Sequence, residues 1–133
     1  MEKQIFKWYS NNGCSNSQIE MIEQQLKRKL PVQYNSFMTW SNGGEGSIGD
    51  NYLSLWKIED LLQLNIDYEI QYYLSEEFLG IGTDGGGLCY GINMLNQKIF
   101  KISLGDLDLN EIIYIANSFS EFLGKAIYID YSS

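Results

Sequence analysis

The sequence predicts an α+β domain: an antiparallel β-sheet meander with N-terminal helices and a C-terminal helix packed on one face of it. Three observations carry this. Apolar residues recur at helical spacing before Asn42 and again after Asp108. Between Phe78 and Ser103, short apolar runs are separated by Asp84-Gly85-Gly86-Gly87 and Asn96-Gln97, turns too short for crossover helices, so the strands they join are antiparallel. The chain has 133 residues, 44% of them apolar, which suits a single domain over 1–133. A chain of that length buries roughly two-thirds of its unfolded surface and needs no metal or disulfide to fold.

In chain order, Ser17 with Glu20 fits a capping box, and Ile19, Ile22, Leu26 and Leu30 follow at helical spacing. This predicts a first helix over about 17–29, with Lys27-Arg28-Lys29 at the end where the macrodipole favours cations. Leu30-Pro31 closes it and opens a second helix carrying Tyr34, Phe37 and Met38 inward, which Asn42-Gly43 terminates. Residues 43–50 are glycine-rich and read as a loop. Tyr52 to Trp56 reads as a strand, and Ile58 to Leu64 as a short helix with Glu59 and Asp60 in its first turn. A looser stretch runs to Leu74. Phe78–Thr83, Leu88–Asn93 and Lys98–Ser103 are predicted strands; in the last, Ile99 and Lys101 face away from Phe100 and Ile102. Asp108 with Glu111 caps a closing helix over roughly 109–124, with Ile112, Ile115, Ala116, Phe119, Phe122 and Leu123 inward and Gly124 as its stop.

Charge and composition exclude several functions. There is no histidine, which removes Ser-His-Asp triads, HExxH zinc sites and imidazole switches. Seventeen acids against nine bases give a net charge of −8, and that charge is uneven. Residues 1–29 are net +2 and residues 30–133 net −10. From 58 to 97 there is no base at all, against seven acids: Glu59, Asp60, Asp67, Glu69, Glu76, Glu77 and Asp84. Such a body repels phosphate, so no nucleic-acid partner is expected, while a basic protein is attracted. The same charge argues for a monomer. Met1 to Ile19 holds no apolar run of signal-peptide length, and no window reaches the length of a membrane span. Cys14 and Cys89 read as free thiols of a reducing compartment, so a cytoplasmic protein is expected.

The candidate chemistry is sparse. Gly80, Gly82 and Gly85 satisfy G-x-G-x-x-G, but they lead into Leu88-Cys89-Tyr90, a strand, where the dinucleotide fingerprint requires a helix. Asp106, Asp108 and Asn110 resemble the start of a calcium loop, yet the glycine and glutamate that such a loop needs are missing. Glu45 and Asp84, each among glycines, are the one possible carboxylate pair. Cys89 lacks a histidine partner for nucleophilic work. No cofactor, no metal and no enzymatic activity are therefore expected. Gly43, Gly44, Glu45, Gly46, Asp84, Gly85, Gly86 and Gly87 are assigned to structural loops. Tyr68, Tyr72 and Tyr73, interleaved with Asp67, Glu69, Glu76 and Glu77, are the candidate partner-binding residues. Tyrosine supplies a large contact area at small entropic cost, and the acids suit a basic partner. Tyrosines half-buried at the edge of the sheet would explain the same residues.

An ordered set of features then matches a known pattern. Leu30-Pro31 is followed by Tyr34 and Phe37, then Asn42-Gly43-Gly44-Glu45-Gly46, then Tyr52-Leu53-x-Leu55-Trp56, then Ile81-Gly82-Thr83-Asp84-Gly85-Gly86-Gly87 and Tyr90, and finally Phe119, Phe122 and Leu123. In order and spacing the chain resembles the SUKH superfamily, in the Smi/Knr branch named after a yeast cell-wall assembly regulator. The resemblance implies an α+β fold without catalytic apparatus. It also implies that Gly43, Gly44, Trp56, Gly85 and Gly86 are fold-determining. Bacterial members of such families are mostly immunity proteins that bind the C-terminal domain of a cognate toxin, often a nuclease. The functions that follow are a stoichiometric toxin inhibitor or, without a toxin, a regulatory protein-interaction module; an enzyme using Glu45 and Asp84 is the remaining alternative.

Overall fold

The structure, a computed structural model, describes residues 5–6, 8–48, 51–126 and 128–129. A seven-stranded sheet runs in unbroken sequence order through β2 (Trp8–Ser10), β3 (Gly44–Ile48), β4 (Asn51–Leu55), β5 (Phe78–Thr83), β6 (Leu88–Asn93), β7 (Ile99–Ser103) and β8 (Ile113–Ala116), each antiparallel to the next. A separate parallel pair joins β1 (Ile5–Phe6) to β9 (Tyr128–Ile129). The helices are α1 (Asn16–Leu26), α2 (Val32–Trp40), α3 (Ile58–Asp67), α4 (Ile70–Leu74) and α5 (Phe119–Ala126). The α+β class and the antiparallel meander are as the sequence predicts.

Both faces of the sheet are covered, whereas the sequence placed the helices on one. The main core joins Leu53, Leu55, Leu79, Ile81, Tyr90, Ile92 and Ile99 to Ile19, Tyr34, Phe37, Met38, Leu61, Phe119 and Phe122 of the helices. A smaller core on the other face holds Ile70 and Leu74 of α4 against Phe78, Cys89, Phe100 and Ile102, with Leu104, Leu107 and Ile112 around it. The alternation of side chains along a strand separates the two sets: Ile99 enters the first core, Phe100 and Ile102 the second. Glycine makes the second face shallow enough for this. A Cβ on Gly80 would collide with Ile70 Cδ1, and one on Gly91 with the ring of Phe100.

Four local expectations are corrected. The capping box lies two residues earlier than predicted: Ser15 Oγ accepts from Gln18 N at 3.1 Å and Gln18 Oε1 accepts from Ser15 N at 2.9 Å. Cys14 N donates to Met38 O at 2.9 Å and buries Cys14, which anchors the chain just before Ser15 and selects that box. Helix α1 stops at Leu26, so Lys27-Arg28-Lys29 lies past its last turn, with Lys27 left-handed at φ 57°.

Residues 44–48 form a strand instead of a loop, so Gly44, Glu45 and Gly46 are sheet residues, paired to β2 on one side and β4 on the other. Two flanking ladders supply what glycine lacks in strand propensity. The missing Cβ is also required there, because Trp8 and the Tyr9 carbonyl lie against Gly44, whose φ is +128°. The predicted closing helix is three elements: a 3-10 turn over Leu109–Glu111, then β8, then α5, with Gly124 inside α5. Ile112-Ile113-Tyr114-Ile115 is β-branched and aromatic, and β7 offers it a ladder. Asp108 still caps, its Oδ1 accepting from Asn110 N at 2.9 Å, but caps only the short turn.

Candidate functional site

The seven candidate binding residues lie on one feature, the α3–α4 hairpin and the turn after it. Helix α3 buries Ile58, Leu61 and Asn65. The Asn65 amide ties the helix end to β5: Nδ2 donates to Gly80 O at 2.9 Å and to Leu61 O at 2.8 Å, and Oδ1 accepts from Gly80 N at 2.8 Å. The chain then reverses through Tyr68 and Glu69, the latter left-handed at φ 57°, and lays α4 on the second face. Ile70 and Leu74 are fully buried, which drives Tyr72 and Tyr73 outward, 81% and 52% exposed. Ser75, at φ 107° and ψ 169°, turns the chain out of α4, and Gln71 Nε2 donates to Glu76 O at 2.9 Å across that turn.

The aromatics are held in place. Tyr68 stacks on Trp56 with centroids 5.7 Å apart and planes at 11°; Tyr72 and Tyr73 meet edge to face at 4.9 Å. Ile66, 67% exposed, extends the apolar part of this surface. Asp67, Glu69 and Glu76 are exposed and Glu77 is half-buried. Asp67 accepts from Gln63 Nε2 at 2.8 Å. Among the described residues no Lys or Arg pairs with any of these four carboxylates; the ion pair found among them joins Lys29 to Glu23 at 3.7 Å. The tyrosines are therefore not half-buried sheet-edge residues. Tyr72 and Tyr73 project from a helix.

Tertiary structure adds acids outside the predicted binding set: Asp108 and Glu111, expected as a helix cap, and Asp106, expected only in an incomplete calcium-loop pattern. Asp106, Asp108 and Glu111 are exposed on the segment whose Leu107 and Ile112 pack around the same small core as Ile70 and Leu74. They share a side of the sheet with the hairpin. No local signal in the sequence places them there, because residues 104–108 form neither strand nor helix and the packing of Leu107 decides it. At the other end, Lys27 and Arg28 border the surface, sharing an open groove of about 360 Å³ with Gln71 and Glu76.

The remaining candidates have structural partners. Glu45 accepts a hydrogen bond from the Tyr52 hydroxyl, and that carboxylate pushes the Tyr52 pKa up. Asp84 Oδ1 accepts from Gly86 N at 2.9 Å and Leu88 N at 3.2 Å, closing the β5–β6 turn, where Gly85 at φ 83° lies beneath the Tyr52 ring. The G-x-G-x-x-G glycines thus lie along β5 and its turn, and no helix begins there. Cys89 lies in the second core, its thiol pKa pushed up to about 12 by burial, while burial raises that of Cys14 in the first. Both are free. Among the described residues no group of three or more Cys, Asp or Glu could hold a metal ion, and no helix is long and apolar enough to cross a membrane.

The sequence profile of the SMI1 / KNR4 family (SUKH-1) matches residues 13–125, from the loop after β2 to the last turn of α5. The chain belongs to the SMI1 / KNR4 family. Membership covers both cores, every helix and all of the sheet from β3 onward, and SUKH domains are protein-binding modules. The Smi/Knr resemblance read from Leu30 to Leu123 is thereby established. Among curated proteins, none matches the chain.

Proposed function

We propose that this SUKH domain is an immunity protein: a stoichiometric, non-catalytic inhibitor that binds the C-terminal domain of a cognate toxin in the cytoplasm and blocks its active surface. The observation that carries the reading is the α3–α4 hairpin. Tyr72 and Tyr73 project from a helix anchored by Ile70 and Leu74, among Asp67, Glu69, Glu76 and Glu77, which have no cation partner among the described residues. A rigid aromatic anchor among these acids suits a basic protein surface, such as the phosphate-binding groove of a nuclease. Asp106 and Asp108 extend the same negative field. Inhibition of this kind needs occlusion and no chemistry, which agrees with Glu45, Asp84 and Cys89 being engaged or buried.

The test is calorimetric titration with the C-terminal domain encoded by the neighbouring toxin gene, at low and high salt. The expected result is 1:1 binding that weakens as salt rises, because surface charge is screened. Tyr72→Ala with Tyr73→Ala should weaken binding about a hundredfold, the effect of removing a central aromatic anchor. Binding that ignores both salt and these substitutions would move the interface elsewhere on the domain. No binding at all would favour a regulatory interaction module.

A further inference from the structure

We propose that the uncovered half of the second sheet face is a receptor site for an arginine side chain of the protein partner. The inference rests on the protein-binding reading and adds a second point of contact to the hairpin. The register places Tyr9, Glu45, Ser54 and Thr83 in one cross-strand row with Cys89 and Ile102. Cys89 and Ile102 lie in the core beneath α4, so the whole row belongs to that face. Helix α4 covers the Cys89 end of the row. At the other end Tyr9 and Glu45 are exposed and Ser54 is half-buried. This end is concave: a cleft of about 410 Å³, lined by residues of β2, β3 and β4, meets the first turn of α3 at Asp60. Trp56 lines it too, and the stack of Tyr68 on Trp56 joins the cleft to the hairpin.

The lining selects the occupant. Glu45 and Asp60 are its carboxylates, and both have acceptor capacity to spare. The Tyr52 hydroxyl takes Glu45 Oε2 alone, and the Asp60 carboxylate makes no hydrogen bond or ion pair with a described residue. Among the described residues, Lys57 is the base that lines the cleft. Its charge is opposed by Glu59, whose carboxyl is held below the usual carboxylate range by its own backbone N–H, by the Asn42 amide and by Lys57. Residues 58–97, which include α3 and β5, supply no further base. Three carboxylates against one ammonium give a negative site, which attracts a cation and repels an acidic segment. Tyr9 and Trp56 favour guanidinium over ammonium. A guanidinium is planar, packs flat against aromatic side chains and spans two carboxylates with its fork of donors, whereas lysine offers a compact, strongly hydrated charge. A floor of Glu45 and Ser54 is too polar for an aliphatic side chain.

The experiment is a proton–nitrogen NMR titration of the full chain with the capped peptide Gly-Arg-Gly, with Gly-Lys-Gly as the comparison. The arginine peptide should bind with a Kd of about 1–10 mM, the scale of one isolated side-chain contact. The amides of Glu45, Ser54 and Asp60 and the indole N–H of Trp56 should shift together, and the lysine peptide should bind at least about threefold more weakly. Glu45→Gln and Asp60→Asn should each weaken the arginine peptide about fivefold. Glu45→Gln keeps an acceptor for the Tyr52 hydroxyl, so the β3–β4 contact survives the substitution. Lys57→Met removes the competing cation and should tighten binding. Equal binding of the two peptides, shifts confined to Asp67–Glu77, indifference to Glu45→Gln and Asp60→Asn, or no binding at about 10 mM would each overturn the proposal. The two readings fail separately. A toxin domain that binds, needs Tyr72 and Tyr73 but ignores Asp60→Asn keeps the immunity reading and overturns the cleft. Arginine-peptide binding by a domain that ignores the toxin supports the cleft and removes the toxin.

Discussion

Replacing Asn65 by alanine should destabilise the domain more than any change at its exposed surface. Strand β4 pairs with β5 only through Ser54–Thr83 and Leu55–Gly82, with Trp56 N reaching Ile81 O at 2.9 Å; beyond that point β5 has no strand on its β4 side among the described residues. Gly80 N and O both bond the Asn65 amide, so they point away from β6, and Gly80–Gly91 is a non-hydrogen-bonded pair. The side chain therefore takes the place of a strand. Leu61 O keeps its helical partner when the amide is lost, but the two Gly80 groups are orphaned in a buried setting. At about 1–3 kcal/mol for each unsatisfied buried group, the cost is between about 2 and about 6 kcal/mol. A domain of this size holds only about 5–15 kcal/mol in all. Urea denaturation should show a lower midpoint at unchanged slope, and hydrogen exchange should show the Gly80 amide losing protection. Asn65→Asp supplies a second arm. It keeps the acceptor for Gly80 N–H but sets a carboxylate against two carbonyls, so its folded-state pKa is raised above the ordinary value. The folded state then binds the proton more tightly, and the deficit relative to wild type is full at neutral pH and shrinks as pH falls through that raised pKa. A cost below about 1 kcal/mol for Asn65→Ala, or a deficit in Asn65→Asp that ignores pH, would refute the account.

Three further outcomes follow from single features. Ser75→Gly should stabilise the protein by about 1 kcal/mol in urea denaturation, because serine at φ 107° and ψ 169° occupies a region that is natural only to glycine. Gly91→Ala should cost about 1–3 kcal/mol by the same assay, since its Cβ collides with the Phe100 ring and the Leu79 carbonyl. Cys14 and Cys89 should resist a thiol reagent at pH 8 in the native state and react together on unfolding; the Cys89 pKa near 12 and the burial of both keep them protonated and covered.

Much of the fold was legible along the chain. The bounds read for β5 and β6 coincide with the strands, because each is a short apolar run closed by turn residues that have no other use. Helices α1 to α3 were visible from their apolar spacing. Strand β8 was not. Ile112, Ile115, Phe119 and Leu123 fit helical spacing as well as they fit a strand followed by a helix, and only the presence of β7 beside 113–116 decides between them. Strand β3 was hidden for the opposite reason: its glycines carry no local signal, and their value lies in letting Trp8 approach. Of the candidate surface, the alternation of tyrosine and acid from Asp67 to Glu77 was readable. The contribution of Asp106 and Asp108 was not, because it depends on where Leu107 is buried.

The sequence by itself determined the class of fold, the family, the acidity of the body and the absence of histidine chemistry, since these depend on composition, period and ordered motifs. Tertiary structure decided which strands close the sheet and that a second core exists beneath α4. It also decided that Tyr72 and Tyr73 point outward and that Glu45 and Asp84 serve the β3–β4 ladder and the β5–β6 turn. The physical reason is the same in each case. A short segment chooses between helix, strand and loop by less than the free energy of burying one side chain, so the neighbour that covers it makes the choice.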